Sequence, residues 1–272
     1  YLDRVSERLP KDVVQVVTSI EQAVETHSFE GIDRCLRIAG KLPAELTTTL
    51  IDKAQYEGWI RILKANRLAG YNFEIILTNL SDAGDYLGIL KTAELVLTVR
   101  PPDKDSGAEK YFIRNGVFYL KELRYTKVFN NLTTVDNEFV DEATELLLRV
   151  LQDILTTHGK IEERDDFEIY DSLYFNDIDF FTITLEEEIE ESLHDDTKLF
   201  IATTIELIRR SLEECDESRV HRLLALIDDL PDCRTTWRLK VLVITTCINL
   251  LQNELREALF RIFEPLYNYG LI

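Results

Sequence analysis

Glycine and proline are scarce: ten and six among 272 residues, with Leu, Ile, Glu and Ala dominating the long segments between them. That scarcity argues against short strands joined by Gly/Pro turns and in favour of helices. The four cysteines (Cys35, Cys215, Cys233, Cys247) lie far apart with no Cys-x-x-Cys pair, so neither a disulfide framework nor a zinc site is indicated. They read as small buried hydrophobes. Methionine is absent, although a helical protein of this size ordinarily contains several, so weight falls on local motifs over long-range spacings. No apolar run approaches the roughly 18 residues that a membrane-spanning helix needs, and Tyr1-Leu2-Asp3-Arg4 lacks the layout of a signal peptide. The expectation is an intracellular protein, cytoplasmic or nuclear, without a membrane partner. Gly-rich phosphate loops, the Gly-x-Ser-x-Gly elbow and His-Glu-x-x-His are all missing, and His27, His158, His194 and His221 are scattered. No catalytic residue, metal ligand or cofactor is therefore nominated, and a non-enzymatic role is expected.

What the chain has in abundance is negative charge. Fifty acidic residues against 31 basic ones give a net charge of −19 and a pI near 4.7. Binding a polyanion requires clustered Lys and Arg, so direct nucleic-acid binding is disfavoured and basic proteins are the more natural partners. The charge is concentrated. Residues 161–196 hold fifteen carboxylates against Arg164 alone, interleaved with Phe167, Tyr170, Tyr174, Phe175, Phe180 and Phe181. A plain solubilising tail lacks large apolar side chains. The candidate partner-binding residues are Asp165, Asp166, Asp171, Tyr174, Phe175, Asp177, Asp179, Phe180, Glu186, Glu187, Glu188, Glu190 and Glu191, with charge drawing in a basic protein or peptide and aromatics anchoring it.

The rest of the chain reads as a succession of amphipathic helices. Val13, Val14, Val17, Ile20 and Val24 follow one helical face behind Pro10. A second helix opens at Ser28, buries Ile32, Cys35, Leu36 and Ala39, and stops at Gly40; a third runs from Pro43 to Gly70. Further helices are expected over 73–80, 83–99, 109–129, 136–157, 197–214, 217–230 and 234–263, with Arg100–Gly107 as the clearest loop or hinge. At most a short hairpin is expected around Phe167–Leu185, where Phe180, Thr182 and Thr184 alternate with Phe181, Ile183 and Leu185. Two sequons occur, Asn79-Leu80-Ser81 and Asn131-Leu132-Thr133.

One internal match stands out, at a constant offset of 188 residues. Ser28 falls on Asp216, Ile32 on Val220, Arg34 on Arg222, Leu36 on Leu224, Leu42-Pro43 on Leu230-Pro231, Thr47-Thr48 on Thr235-Thr236, Ile60 on Ile248 and Leu63 on Leu251. These are the cap, core face, turn and following helix of one helical hairpin, the unit that must stack on a neighbour to bury its face.

Asp165-Asp166-x-x-x-x-Asp171 and Asp228-Asp229-x-x-Asp232 resemble the aspartate-rich motifs of the all-α isoprenoid synthases. The resemblance implies Mg²⁺ held by carboxylates against a substrate diphosphate. It covers these six residues only; the first motif lacks the basic residues expected just after it, and Pro231 interrupts the second where a continuous helix is required.

The expected fold is all-α: stacked helical hairpins forming an α-solenoid or irregular helical-repeat domain. A helical array over 1–160, the acidic-aromatic segment 161–196 and further hairpins over 197–272 packed on the same array make up the chain. The expected function is an interaction scaffold or adaptor subunit of a larger assembly that recognises a basic protein or peptide. The alternatives are an acidic chaperone or carrier for a histone or ribosomal protein and, behind it, the Mg-dependent diphosphate enzyme.

Overall fold

The computed structural model describes residues 9–12, 14–15, 29–56, 59–63, 69–101, 117–120, 123–158, 160–164, 167–171, 196–213 and 216–247. Its class is all-α, with one two-stranded hairpin. The chain divides into two compact units, residues 1–100 with 114–139, and residues 101–113 with 140–272.

In the first unit, α1 (Phe29–Ala39) repeats apolar residues at helical spacing, and Ile32, Cys35, Leu36 and Ala39 are all buried while Arg34 and Arg37 face solvent. Leu42-Pro43 turns the chain into α2 (Ala44–Tyr56). Thr47, completely buried, donates its hydroxyl to the Ala39 carbonyl at 2.8 Å, beside the Leu42 amide, so the end of α1 is tied to the next helix. The single long helix expected over 43–70 is instead α2 followed by the short α3 (Trp59–Leu63), and Gly70 does not end a helix but sits inside α4 (Ala69–Asp82). Tertiary packing decides this, because Phe73, Ile76, Leu77 and Leu80 of α4 lie wholly in the core and reward helical structure through the glycine. Gly84, at φ +66°, reverses the chain. Asp85 then caps α5 (Tyr86–Val96), accepting the Gly88 amide at 2.8 Å.

The largest departure from expectation lies in the helix predicted over 109–129. Val117–Leu120 is not helical: Phe118 forms an isolated antiparallel bridge with Val99, and the Arg100 amide donates to the Val117 carbonyl at 2.9 Å. Of that span, residues 109–116 and 121–122 lie outside the described residues, and α6 (Tyr125–Thr133) takes up its last part. Phe118 and Tyr125 meet ring to ring at 4.9 Å, and the bridge of Phe118 to Val99 is the non-local contact that a helical period does not register.

Helices one hairpin apart pack at nearly constant sequence offsets. Between α1 and α4, the Asn72 amide donates to Asp33 across 39 residues and the Asn79 amide to the Leu42 carbonyl across 37. Between α2 and α5, Thr48 donates to Asp85 across 37 residues and Lys91 to Asp52 across 39. Offsets that hold along both pairs mean parallel helices, first on first and second on second. Gly40 and Gly88 sit where the helices approach closest: an added Cβ would lie 2.8 Å from Ile75 Cγ2 and 2.6 Å from Thr48 Oγ1 respectively.

In the second unit, a 3₁₀ turn (Asn137–Phe139) having closed the first, the chain enters α7 (Val140–His158). The strands β1 (Lys160–Arg164) and β2 (Phe167–Asp171) follow as an antiparallel hairpin, with Lys160 opposite Asp171 and Glu163 opposite Glu168. The hairpin begins earlier than the Phe167–Leu185 span expected; of that span, residues 172–185 lie outside the described residues. Two strands are marginal alone and like-charged positions directly opposite weaken them, so the packing of β2 on the helix Arg234–Thr246 matters. The central helix is α8 (Asp196–Glu213), buried nearly all round. Its Thr203 and Thr204, wholly inside, return their hydroxyls to the Leu199 and Phe200 carbonyls at 2.8 Å, which removes the cost of burying them. α9 (Glu217–Asp228), capped by Asp216, and α10 (Arg234–Thr246) follow; of the helix expected over 234–263, residues 248–263 lie outside the described residues.

The two segments matched at offset 188 are both helical hairpins with Leu-Pro turns. Ile32/Val220, Cys35/Leu223, Ala39/Ile227, Leu42/Leu230, Thr47/Thr235 and Ile51/Leu239 are buried in pairs. Leu224 departs, being only half-buried where Leu36 is inside, and Thr236 bonds back to the turn at Pro231. The turn before α10 is longer than the one before α2. Leu251 and the Ser28 cap lie outside the described residues.

Candidate functional site

Of the thirteen candidate residues, Asp171 alone is described, as the last residue of β2 opposite Lys160. Asp165, Asp166, Tyr174, Phe175, Asp177, Asp179, Phe180, Glu186, Glu187, Glu188, Glu190 and Glu191 lie outside the described residues.

The second aspartate motif is described, and its carboxylates do separate things. Asp228 pairs with Lys240 at 2.5 Å, and that ammonium also lies 4.4 Å from the Trp237 ring centre. Asp229 is the C-cap of α9, and its carbonyl accepts from Gln152 at 3.1 Å. Asp232 accepts the Trp237 indole N–H at 2.6 Å. All three serve the α9–α10 turn. Among the described residues, no three His, Cys, Asp or Glu side chains come together as metal ligands, and no helix is long and apolar enough to cross a membrane.

The most organised polar cluster is one the sequence did not indicate. Asp141, in the first turn of α7, accepts Arg219 Nε at 3.0 Å on each oxygen, Arg219 Nη2 at 2.6 Å and the Ser211 hydroxyl at 2.8 Å. The acidic first turn also suits the helix dipole. Beside the cluster, Thr144, Arg222, Leu223 and Leu226 line a shallow recess open to solvent. Burial pushes the Asp141 carboxyl up, but hydrogen bonds from Arg219 and Ser211, with the charges of Arg219 and Arg222, outweigh it and leave the pKa below its ordinary 3.8. A serine beside a carboxylate invites a nucleophile reading, yet this carboxylate is held ionised and its lone pairs are occupied by a guanidinium. It is a poor proton acceptor. Its chemistry is that of a clamp joining α7, α8 and α9. The clamp continues along the parallel α7 and α9 pair: Arg222 meets Glu145 at 3.4 Å and Gln152 reaches Asp229, each 77 residues apart.

The first unit has a counterpart. Glu74 on α4, 7% exposed, takes Arg124 Nη2 at 2.8 Å, Nε at 3.2 Å and the backbone amide at 3.3 Å at the start of α6. The hydrogen bond to Glu74, then its charge, hold the Arg124 guanidinium further above its ordinary pKa. Lys127 donates to Thr78 one turn on. The two sequon amides are likewise used inside the fold: Asn79 on the Leu42 carbonyl, and the buried Asn131 on the Lys127 carbonyl at 2.7 Å. Cys35, Cys233 and Cys247 are buried, as expected of small hydrophobes.

No protein-family model, curated protein or solved structure matches this chain.

Proposed function

We propose that the chain is an α-solenoid-type interaction scaffold, an adaptor subunit of a larger intracellular assembly, whose segment 161–196 recognises a basic protein or peptide. The observation that carries the reading is the use made of polar side chains. Across the described hairpins they join neighbouring helices at repeated offsets (Asp33 with Asn72, Thr48 with Asp85, Asp141 with Arg219), as a stacked helical array requires. The largest concentration of charge is then left for recognition. Fifteen carboxylates with six aromatics over residues 161–196 combine long-range attraction with short-range anchors.

Binding kinetics with a Lys/Arg-rich peptide test it. Replacing Glu186, Glu187, Glu188, Glu190 and Glu191 by Gln should slow association and flatten its salt dependence, because screening acts on exposed charges over about 8–10 Å. Tyr174→Ala with Phe175→Ala should speed dissociation instead, each anchor contributing about 1–2 kcal/mol. Parent-like kinetics in both variants would refute the assignment.

A further inference from the structure

We propose that the outward face of α1, α4 and α6 in the first unit docks a short acidic segment of a partner protein that also carries an apolar side chain. The inference does not depend on the role of residues 161–196.

On a chain of net charge −19, this face collects cations. α1 presents Arg34 and Arg37 one turn apart, the turn after it adds Lys41, all three exposed, and the start of α6 contributes its N-cap Arg124 and Lys127 on the other side of α4. The order of the three helices follows from the contacts on α4. Asn72 and Asn79 face α1 through Asp33 and Leu42, whereas Glu74 and Thr78 face α6 through Arg124 and Lys127. Between those two rows runs the outer stripe of α4, with Tyr71 60% exposed and Ile75, beside Gly40, partly exposed. The result is an aromatic and aliphatic ridge with a basic row on each flank.

The carboxylates beneath it aim the cations without covering them. Asp33 holds Arg37 at 2.7 Å, yet the aspartate side chain is 10% exposed and the arginine 52%. Glu74 holds Arg124 in the same way, at 9% against 79%. Guanidinium groups fixed from below lose less freedom when they pair again from above, and Arg forks suit carboxylates. Asp82, exposed at the far end of α4, limits the positive stretch to the N-terminal part of the ridge. A long polyanion would extend past this face into the repulsion of an acidic chain, whereas a short peptide feels the local field within about one Debye length, roughly 8 Å. That favours an acidic peptide over nucleic acid, and Tyr71 supplies the anchor for its apolar residue.

Fluorescence anisotropy of the full chain tests the proposal. The probes are a fluorescein-labelled peptide of alternating Glu and Ser with one Phe, the same peptide with Gln for Glu, and an oligothymidylate of matching charge. The Glu peptide should bind with an affinity that falls as salt rises, and the Gln peptide should not. Arg34→Glu with Lys41→Glu should weaken binding about tenfold, and Tyr71→Ala about threefold to tenfold, with helical circular dichroism retained. If the charge-reversed chain fails to fold, Arg34→Gln with Lys41→Gln should show a smaller loss in the same direction. Absence of Glu-peptide binding, parent-like affinity in the variants, or equal binding of the Gln peptide would overturn the proposal. Tighter binding of the oligothymidylate would overturn it as well, in favour of a phosphate-reading surface.

Discussion

Replacing Asp141 by Ala removes the acceptor on which three helices of the second unit converge. Three contacts of one guanidinium and the Ser211 hydroxyl are lost together. The loss is unequal. Arg219, with 30% of its side chain exposed, recovers water, whereas Ser211 is 3% exposed and is left holding an unpaired donor. An unsatisfied buried polar group costs about 1–3 kcal/mol and hydrogen bonds to a charged group contribute about 1.5–3 kcal/mol, so with the exposed side discounted the expectation is a destabilisation of about 2–3 kcal/mol. For a unit of this size that lowers Tm by about 5–10 °C. Urea unfolding followed by circular dichroism and by Trp237 emission reads the change on the unit that carries it. Ser211→Ala alone should cost about 1 kcal/mol, and the double variant less than the sum of the singles, because each removes the other's partner. Acid unfolding supplies the independent check. The Asp141 pKa lies below its ordinary value when folded, so the clamp's contribution is complete above 3.8 and disappears as the pH falls through the folded value. Parent and Asp141→Asn stability curves should therefore converge in acid and separate towards neutrality. A cost for Asp141→Ala below about 0.5 kcal/mol, the level of an ordinary surface pair, would refute the reasoning.

Gly88→Ala should destabilise the first unit by about 1–3 kcal/mol, read by thermal melting, since its new methyl would meet Thr48 Oγ1 at 2.6 Å, Asp85 Oδ2 at 2.7 Å and Leu80 Cδ2 at 2.8 Å. Gly40→Ala, with one such contact at Ile75, should cost less. The Tyr86 phenol should titrate above its ordinary 10.0, chiefly because of the nearby Asp136 charge, and Asp136→Asn should bring it down; tyrosine NMR titration with Tyr86→Phe as the assignment control measures both. Phe200→Ala, at a fully buried position of α8, should cost about 3–5 kcal/mol, against a change within about 0.5 kcal/mol for Leu87→Ala at an exposed position.

The helical class and many of the helix positions were legible in the sequence, because apolar spacing and caps act within a few residues. Ile32, Cys35, Leu36 and Ala39 declare a buried face on their own, Asp216 stops the chain before a helix with a side chain that bonds three residues on, and Leu42-Pro43 and Leu230-Pro231 mark turns whatever surrounds them. The Gly84 turn and the Asp85 cap, by contrast, fall inside the helix expected over 83–99. The paired burial at offset 188 was legible for the same reason. The polar clusters were not. Asp141 and Arg219 are 78 residues apart, Glu74 and Arg124 are 50 apart, and each alone looks like an ordinary charge on a solvated helix. Nor could local pattern show that Val117–Leu120 leaves the helix to meet Val99, since the competing gain is the bridge and the Phe118–Tyr125 contact. The sequence by itself determined which residues seek the core and where helices can begin. Tertiary structure alone decided which charges meet, because pairing depends on how helices stack, and that stacking brings the cations of α1 and α6 to flank one ridge on an otherwise acidic chain.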